Sequence, residues 1–496
     1  MKKLFLPVFM AGLLFTSCAK DEIDKEVEKV EENPVETENT EVESFIYRGM
    51  NNIYLYKSEV PALADDYFSS VAEKNEFLIA ANSPEDLFED LQASHDRFSF
   101  MTSDYVALGK LLGSGVAKSN GMDYGLYVFS NAPDNIFGWV RYVLPGTSAE
   151  EQGVKRGDLF TEIDGQKLTV DNYRNLLGQD SYSLRIAEIS ENTISDTDKV
   201  VDLVKVEMTE DPIFLSEVLE IEDKKIGYLM YNSFTPSFDS KLNGAFLDLK
   251  AQGVTHLILD LRYNSGGNGE SAVDLASMIT GQFNGKVMTT YVYNDDYQDY
   301  YENNAPHVLV SLFNDEIRTG EAINSLGLTE VYVLTTKSSA SASEFVINGL
   351  NPYIEVIQIG ENTSGKYQGS YTLHDSPNFS LTDSNGKFHA NPNHTYAIQP
   401  LVVKYANSVG TTDFVNGLAP DMKVEEDLND LGVLGDPSEK LLQAAINAIL
   451  GNPQEEMSAT AKKAMDKFKF IGESKMFRPN YQRLYLDELP PLPIQE

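Results

Sequence analysis

The sequence predicts a multidomain protein whose largest part is an α/β domain with a largely parallel sheet. From about residue 213, apolar strands alternate with helical segments, which is typical of α/β domains. The run from Leu257 to Leu259 is apolar without alternation, as expected of a strand covered on both faces. At 496 residues the chain is also too long for one hydrophobic core. Further domains are therefore expected before residue 213.

Residues 1–18 have the features of a secretory signal. Lys2 and Lys3 precede an apolar stretch from Leu4 to Phe15 that is too short to be read as a membrane span. Cys18 follows directly and is the only cysteine, so an intramolecular disulfide is impossible. This arrangement resembles a bacterial lipoprotein signal, which implies that Cys18 is lipidated and becomes the first residue of the mature protein. An ordinary signal peptide cut nearby is the alternative.

The segment 19–43 is rich in Asp and Glu and poor in apolar residues, which predicts a flexible acidic linker. The whole chain carries a formal net charge of −37. Like charges repel at long range, so this charge argues against nucleic acid or an anionic membrane surface as a partner. Together with residues 1–18, the linker predicts a protein held in the cell envelope by a lipid anchor at Cys18.

Residues 44–112 are predicted to form a small helical domain. Ser83 followed by Pro84 and two acidic residues is a strong helix start, with Ser as the cap and Pro in the first position. Apolar residues recur at helical spacing on both sides of this start. They are Phe45, Met50, Ile53 and Tyr54, and then Phe77, Leu78, Leu87, Phe88 and Leu91.

Residues 113–212 contain a pattern of strands, glycines and turns that is specific as a whole. In the stretch 139–168, Gly153 and Gly157 permit positive φ angles, and Asp164-Gly165 is a preferred two-residue hairpin turn. The complete string resembles a PDZ domain. That resemblance implies that a substrate C-terminus adds as a strand beside Gly125, Leu126 and Tyr127. A PDZ fold that serves only as a spacer is the alternative.

Within the predicted α/β domain, two strands are each followed by residues suited to catalysis. A strand over Val331–Thr335 leads into a run of small residues and then a helix that begins near Ser341. A helix N-terminus offers unpaired N–H groups for developing negative charge. A second strand, Ile354–Ile359, leads into a loop that ends at Lys366. If these strands are neighbours in one sheet, Ser341 and Lys366 face each other at its edge.

A glycine pair follows a third strand of the same domain. In the stretch from Asp260 to Gly267, two glycines let the backbone approach a ligand closely. Asp260 and Arg262 are interpreted as a structural pair that orients this loop.

Three motifs together resemble the C-terminal processing (tail-specific) serine peptidases. They are Ala340-Ser341-Ala342-Ser343-Glu344 with the later Gly365-Lys366, the glycine loop just described, and Asn416–Asp421. The resemblance implies that Ser341 is the nucleophile and Lys366 its base. It also implies an oxyanion hole made by the N–H of Ala342 and that of Gly266 or Gly267, between which the sequence does not choose. Many relatives carry a glutamine four residues after the lysine, where this chain has Ser370. Either Ser370 or Gln368, which share one face of a strand, can replace it.

These observations predict a serine endopeptidase that uses a Ser/Lys dyad and recognises protein or peptide substrates with free C-termini. A non-catalytic peptide-binding lipoprotein and a Ser/Lys esterase are the alternatives. The six histidines are scattered and no metal-ligand spacing or phosphate loop occurs, so neither metal nor cofactor is expected.

The rest of the chain carries weaker signals. The Tyr- and Asp-rich stretch 294–304 is interpreted as a solvated loop between strands. A last helix is expected over 436–450, within a peptidase core spanning 213–450. Residues 451–496 form a C-terminal tail to which no element is assigned.

Overall fold

The computed structural model describes residues 40–190, 193–452, 468–487 and 489–491. The predicted signal, the linker up to residue 39 and Cys18 lie outside the described residues. In the part of the chain that is described, no helix is both long enough and apolar enough to cross a membrane.

The first region is mainly helical, and its helices begin at the predicted signals. Ser83 Oγ accepts a hydrogen bond from Asp86 N at 3.0 Å, and Pro84 opens the helix that follows. Asp104 caps the last helix of the region, which ends at Gly115 with a φ of 69°. The elements are α1 (Glu41–Ile53), α2 (Val71–Ile79), α3 (Pro84–Asp90), β1 (Phe100–Thr102) and α4 (Tyr105–Ser114).

A strand-rich module follows, over residues 116–209. Its strands pair antiparallel, and the predicted turn at Asp164-Gly165 joins two of them with positive φ at both residues. Leu126, Phe160 and Leu184 are fully buried in a hydrophobic cluster that belongs to the module. Its elements are β2 (Val116–Ser119), β3 (Met122–Phe129), β4 (Ala132–Val143), α5 (Ser148–Glu151), β5 (Leu159–Ile163), β6 (Gln166–Lys167), α6 (Tyr173–Gly178), β7 (Ser181–Ser190), β8 (Thr193–Val204) and β9 (Val206–Thr209).

The core contains the largely parallel sheet that the sequence predicts. The stretch 294–304, interpreted as a loop, is instead a helix that Asn294 caps and that buries Tyr297 and Tyr301. The elements of the core are β10 (Ile213–Ile221), β11 (Lys224–Tyr231), α7 (Asp239–Ala251), β12 (His256–Asp260), β13 (Gly267–Asn268), α8 (Gly269–Thr280), β14 (Val287–Val292), α9 (Asp295–Asn304), β15 (Val310–Leu312), β16 (Glu330–Thr335), α10 (Ala342–Leu350), β17 (Glu355–Gly360), β18 (Gln368–Ser370), β19 (Leu373–His374), β20 (Ala397–Gln399), β21 (Leu401–Asn407), β22 (Met422–Lys423) and α11 (Lys440–Ile449).

The order of the main sheet is β10-β11-β12-β16-β17-β22, in which only the β10–β11 pair is antiparallel. Strands β16 and β17 are parallel neighbours over their full length. Their carboxyl ends, and that of β12, therefore lie at one edge of the sheet.

The N-terminal helices have no core separate from that of the sheet. Phe45 and Ile46 of α1 belong to the same hydrophobic cluster as Leu373 and Ile398. A Cβ on Gly49 would lie 2.7 Å from Ile398 Cδ1, so α1 lies directly on β20. Strand β1 extends this contact by pairing with β20. The predicted helical domain is thus built onto the α/β core.

The last described segment, 468–487, also forms strands, where the sequence suggested no element. Strand β23 (Phe468–Glu473) adds to the edge of the strand-rich module at β3, and β24 (Leu484–Tyr485) lies between β13 and β18. The second sheet of the core has the order β13-β24-β18-β21-β14-β15. The C-terminal segment therefore runs from the module into the core.

Candidate active site

Ser341 lies at the sharp turn between β16 and α10, as the small-residue run predicts. Its φ of 60° and ψ of −108° fall in a region that non-glycine residues rarely adopt. Ala340 N donates to Asn264 O at 3.1 Å, which fixes the turn against the glycine loop. The Ser341 side chain is fully buried, and its Oγ has no hydrogen-bond partner among the described residues. The described part of the protein thus leaves this hydroxyl without a hydrogen bond.

Lys366 comes from the loop after β17 and is also fully buried. Its Nζ lies 5.0 Å from the centre of the Phe98 ring and has no hydrogen-bond partner within the described part of the chain. Burial lowers the pKa of Lys366 well below its ordinary value, and the positive charge of Arg483 lowers it further. A lysine whose pKa is lowered in this way gives up its proton more readily than an exposed lysine.

The carboxylate of Glu344 links these two residues through their backbones. Its Oε2 accepts hydrogen bonds from Ser341 N at 2.7 Å and Lys366 N at 2.9 Å. Its Oε1 accepts from Gly365 N at 2.6 Å and Thr363 Oγ1 at 2.5 Å. Burial raises the pKa of Glu344 to about 7. Sequence reasoning assigned no role to this residue, although it lies in the motif used to find Ser341.

Tyr405 connects Ser341 and Lys366 through their backbone carbonyls. Its hydroxyl lies 3.2 Å from Ser341 O and 3.0 Å from Lys366 O and can donate to either carbonyl. The backbones of Ser341 and Lys366 are thus held together by one carboxylate and one phenol. The sequence placed these residues at one edge of the sheet, and the structure brings them together there.

The glycine loop lies against Ser341. A Cβ on Gly266 would lie 2.8 Å from Ser341 Cβ, and one on Gly267 would lie 2.3 Å from Phe234 O, so neither position accepts a side chain. The φ angles of 111° and 139° lead to the same conclusion. Gly266 N donates to Asn264 Oδ1 at 2.9 Å, within its own loop.

Ala342 and Gly267 contribute the other backbone N–H groups at this position. Ala342 is the first residue of α10, so its N–H has no acceptor within the helix. Gly267 N donates to the main-chain carbonyl of Arg483 at 2.7 Å. One predicted oxyanion donor therefore already holds a peptide carbonyl that comes from the C-terminal segment.

Asp260 and Arg262 form the structural pair that the sequence suggested. Arg262 Nε donates to both carboxylate oxygens of Asp260, at 3.0 and 2.9 Å, and Arg262 Nη1 reaches Glu439 at 2.8 Å. Thr336 donates its hydroxyl proton to Arg262 O, which ties the glycine loop to the turn before Ser341. Asp260 and Arg262 therefore orient the glycine loop, and these hydrogen bonds connect them to neither Ser341 nor Lys366.

Neither candidate for the third group is hydrogen-bonded to Lys366. Gln368 Nε2 donates to Tyr56 Oη at 3.0 Å, and Ser370 Oγ is buried without a partner among the residues described. The neighbours of Lys366 are Phe98, from the N-terminal region, and Arg483, from the C-terminal segment. Sequence reasoning assigned no site role to Phe98 or Arg483.

Two sequence profiles of one family match the chain. Residues 225–424 match peptidase family S41, and residues 41–100 match the peptidase S41 N-terminal domain. The chain belongs to peptidase family S41. In this S41 chain, Ser341, Lys366 and both glycines all lie within the matched residues 225–424.

Two relatives with curated descriptions are similar to the chain in sequence. The carboxyl-terminal-processing protease of Picosynechococcus sp. is 25% identical over 315 residues, which cover 62% of this chain and 65% of that protein. That of Synechocystis sp. is 25% identical over 319 residues, covering 62% and 64%. The match spans just under two thirds of the length of these two proteins.

A solved structure, described as a putative S41 protease from Bacteroides fragilis, is 27% identical to the chain. It superposes with a TM-score of 0.61 over 82% of this chain and 97% of that one. The S41 fold is therefore shared across most of the described residues.

The edge of β3, predicted to bind substrate, is already paired in this S41 chain. Gly125 pairs with Glu473, Leu126 with Gly472, and Tyr127 with Phe470. The side chain of Glu473 forms an ion pair with Arg141 of β4. The three predicted substrate-binding residues thus contact the chain's own C-terminal segment.

Arg141 also connects this edge to the turn that carries Ser341. Its Nη2 donates to Ser338 Oγ at 2.9 Å, while its Nη1 is paired with Glu473. The strand-rich module is therefore linked to the turn before Ser341 through one buried guanidinium.

The described residues include no group of three or more His, Cys, Asp or Glu side chains arranged to hold a metal ion.

Proposed function

We propose that this chain is a serine endopeptidase in which Ser341 is the nucleophile and Lys366 is the general base. The observation that carries the proposal is the full burial of Lys366, with its pKa lowered well below the ordinary value, on a backbone that Glu344 joins to that of Ser341. A lysine pKa near 10.4 must fall by roughly three units for the amine to be neutral at pH 7, which is about 4 kcal/mol. Burial supplies an effect of this direction, which outweighs the opposing charges of Asp96 and Glu344.

In this proposal the neutral amine of Lys366 takes the proton of Ser341 Oγ as the oxygen attacks the scissile carbonyl. Ala342 N–H and Gly267 N–H hold the negative charge that develops on the carbonyl oxygen. Gly267 is preferred to Gly266 because its N–H already binds a peptide carbonyl, whereas that of Gly266 is bound to Asn264. The proton then passes from Lys366 to the leaving amine.

The strand-rich module is proposed to act as a PDZ domain that takes protein or peptide substrates by their free C-termini at the β3 edge. Support comes from the antiparallel pairing of β3 with another strand in this chain, which is the pairing that a bound peptide makes. We further propose that Cys18 is lipidated and holds the enzyme in the cell envelope. Metabolic labelling with a radioactive fatty acid, compared between wild type and Cys18→Ala, tests this part.

Cleavage of an unfolded protein such as reduced casein tests the catalytic assignment. Ser341→Ala and Lys366→Ala should each lower kcat by roughly 1000-fold or more, because removing one member of a catalytic unit costs about as much as removing the whole unit. Lys337→Ala is the matched control, since that lysine lies on the same turn with its side chain 60% exposed. Undiminished cleavage by either active-site variant would refute the dyad. Binding of peptides by a wild type that cuts nothing would favour a non-catalytic binding protein.

A further inference from the structure

The C-terminal segment follows one continuous route from the β3 edge to Ser341. Strand β23 covers the edge at which the proposed substrate would bind, and β24 lies between β13 and β18 beside the reacting pair. Between these strands the chain reaches Arg483, whose carbonyl accepts the hydrogen bond from Gly267 N. The segment therefore occupies both positions that the proposed function assigns to a substrate.

The main chain of Arg483 lies next to the nucleophile. A Cβ on Gly266 would be 2.8 Å from both Arg483 O and Ser341 Cβ, so these two atoms converge on the same small region. Gln482, just before, has a φ of 52° and turns the chain into this position. The next residue, Leu484, is fully buried in β24. The bond between Arg483 and Leu484 is thus the peptide bond that the segment presents at Ser341.

The side chain of Arg483 fills the space beside the proposed base. Its guanidinium stacks on Phe100 at 4.7 Å, its Nε donates to Pro479 O at 2.6 Å, and its Nη1 donates to Phe98 O. It borders a cavity of about 290 Å³, and the charge of Asp96 acts on it. Contacts to backbone and rings hold this arginine, as expected of a residue bound in a substrate pocket.

The contacts on either side of Arg483 fix the register of the segment. Ile471, Met476 and Phe477 pack against the hydrophobic cluster of the strand-rich module. Beyond Arg483, Tyr485 Oη donates to Leu112 O at 2.6 Å, and Leu486 N donates to Ser370 O at 3.0 Å. These contacts hold the Arg483–Leu484 bond at one place relative to Ser341.

We propose that the C-terminal segment is a tethered substrate of its own active site, cut between Arg483 and Leu484. The proposal rests on the proposed function. Ser341 Oγ adds to the carbonyl carbon of Arg483 while neutral Lys366 takes the hydroxyl proton. The C–N bond to Leu484 breaks as Lys366 gives that proton to the leaving amine. Water then hydrolyses the Arg483 ester, which leaves a carboxylate on Arg483 and restores the Ser341 hydroxyl.

Intact mass measured over time on the purified chain tests the proposal, with casein in the same tube. Wild type should release a peptide that begins at Leu484, and Ser341→Ala should release none. Because the segment is bound within its own chain, the rate should not change over a hundredfold range of protein concentration. Wild type mixed with Ser341→Ala should leave the variant's segment intact. A rate proportional to concentration, or cleavage of the variant, would overturn a tethered substrate.

Variants of the C-terminal segment distinguish the loss of its register at Ser341 from a general loss of folding. Leu484→Asp places a charge in a fully buried position of β24 and should slow release at least tenfold, while Lys469→Ala, at an exposed position of β23, should cut at the wild-type rate. Circular dichroism checks that each variant is folded, and the conservative Leu484→Met should retain cleavage even if Leu484→Asp disturbs the fold. Casein cleavage that depends on Ser341, with the segment left intact, would refute this inference and leave the proposed function standing. Failure to cut either substrate would refute both.

Discussion

Replacing Glu344 by glutamine tests whether one buried carboxylate holds the reacting residues in place. The four hydrogen bonds to Glu344 come from three backbone N–H groups and one hydroxyl, two to each oxygen. A glutamine amide offers one oxygen and one NH2 group. In either orientation of the amide, two of the four donors therefore face the NH2 group instead of an oxygen. Each buried donor left unsatisfied costs about 1–3 kcal/mol. The expected loss of unfolding free energy is therefore about 2–6 kcal/mol.

Catalysis should fall with stability in the same variant. Ser341 N and Lys366 N share one oxygen of Glu344, so losing that oxygen lets the two residues move apart. A displacement near 1 Å is enough to reduce kcat about 100-fold. The measurements are urea unfolding followed by far-ultraviolet circular dichroism, and the kcat for casein.

The matched control for this variant is Glu355→Gln, on the exposed start of β17, which should stay within about 0.5 kcal/mol of wild type. A Glu344→Gln chain with the wild-type urea midpoint and the wild-type kcat would refute the reasoning. So would an equal loss in the control.

Other predictions follow from the buried charges and the glycine loop. Cleavage should rise with pH as Lys366 loses its proton, and Arg483→Gln should move the acid limb of the profile to higher pH, because it removes the positive charge that lowers the pKa of Lys366. Lys366→Met should abolish cleavage yet raise the urea midpoint at pH 7. The folded pKa of this lysine lies below the unfolded one, so wild type gains stability as pH rises toward 10 and the advantage of the variant should shrink; a constant advantage would contradict this. Gly267→Ala should cost far more stability than Gly285→Ala, since a Cβ meets Phe234 O at the first position and open space at the second, and equal losses would show that the contact is absent.

The pairing of Ser341 with Lys366 was predictable because it depends on regular elements. Strands β16 and β17 are apolar runs of ordinary length, and parallel neighbours necessarily bring their following loops to one edge. The glycine loop was predictable only as one of three motifs that occur together, since two glycines at a strand also mark a bulge or a bend.

The role of Glu344 was not predictable from its local sequence. Three residues after Ser341, it has the spacing of a helix-capping box, and one of its bonds is of that kind. Its other partners lie 19 to 22 residues further on, in a loop whose path depends on the completed sheet. The helix at 295–304 was missed because its two buried residues, Tyr297 and Tyr301, lie in a stretch that is otherwise mostly polar and acidic.

The strands of the C-terminal segment lacked a usable sequence signal. Strand β24 has two residues, and the strands beside it have two and three, too few to show alternation. Strand β23 is longer but carries both glycine and lysine. Their positions depend on partners elsewhere in the chain.

The surroundings of Lys366 come from both ends of the chain. Phe98 and Arg483, which are hydrogen-bonded to each other, are 385 residues apart. Both of these distant segments must be in place before Lys366 has the surroundings that lower its pKa. The reactivity proposed for Lys366 is therefore a property of the completed fold and not of any single segment.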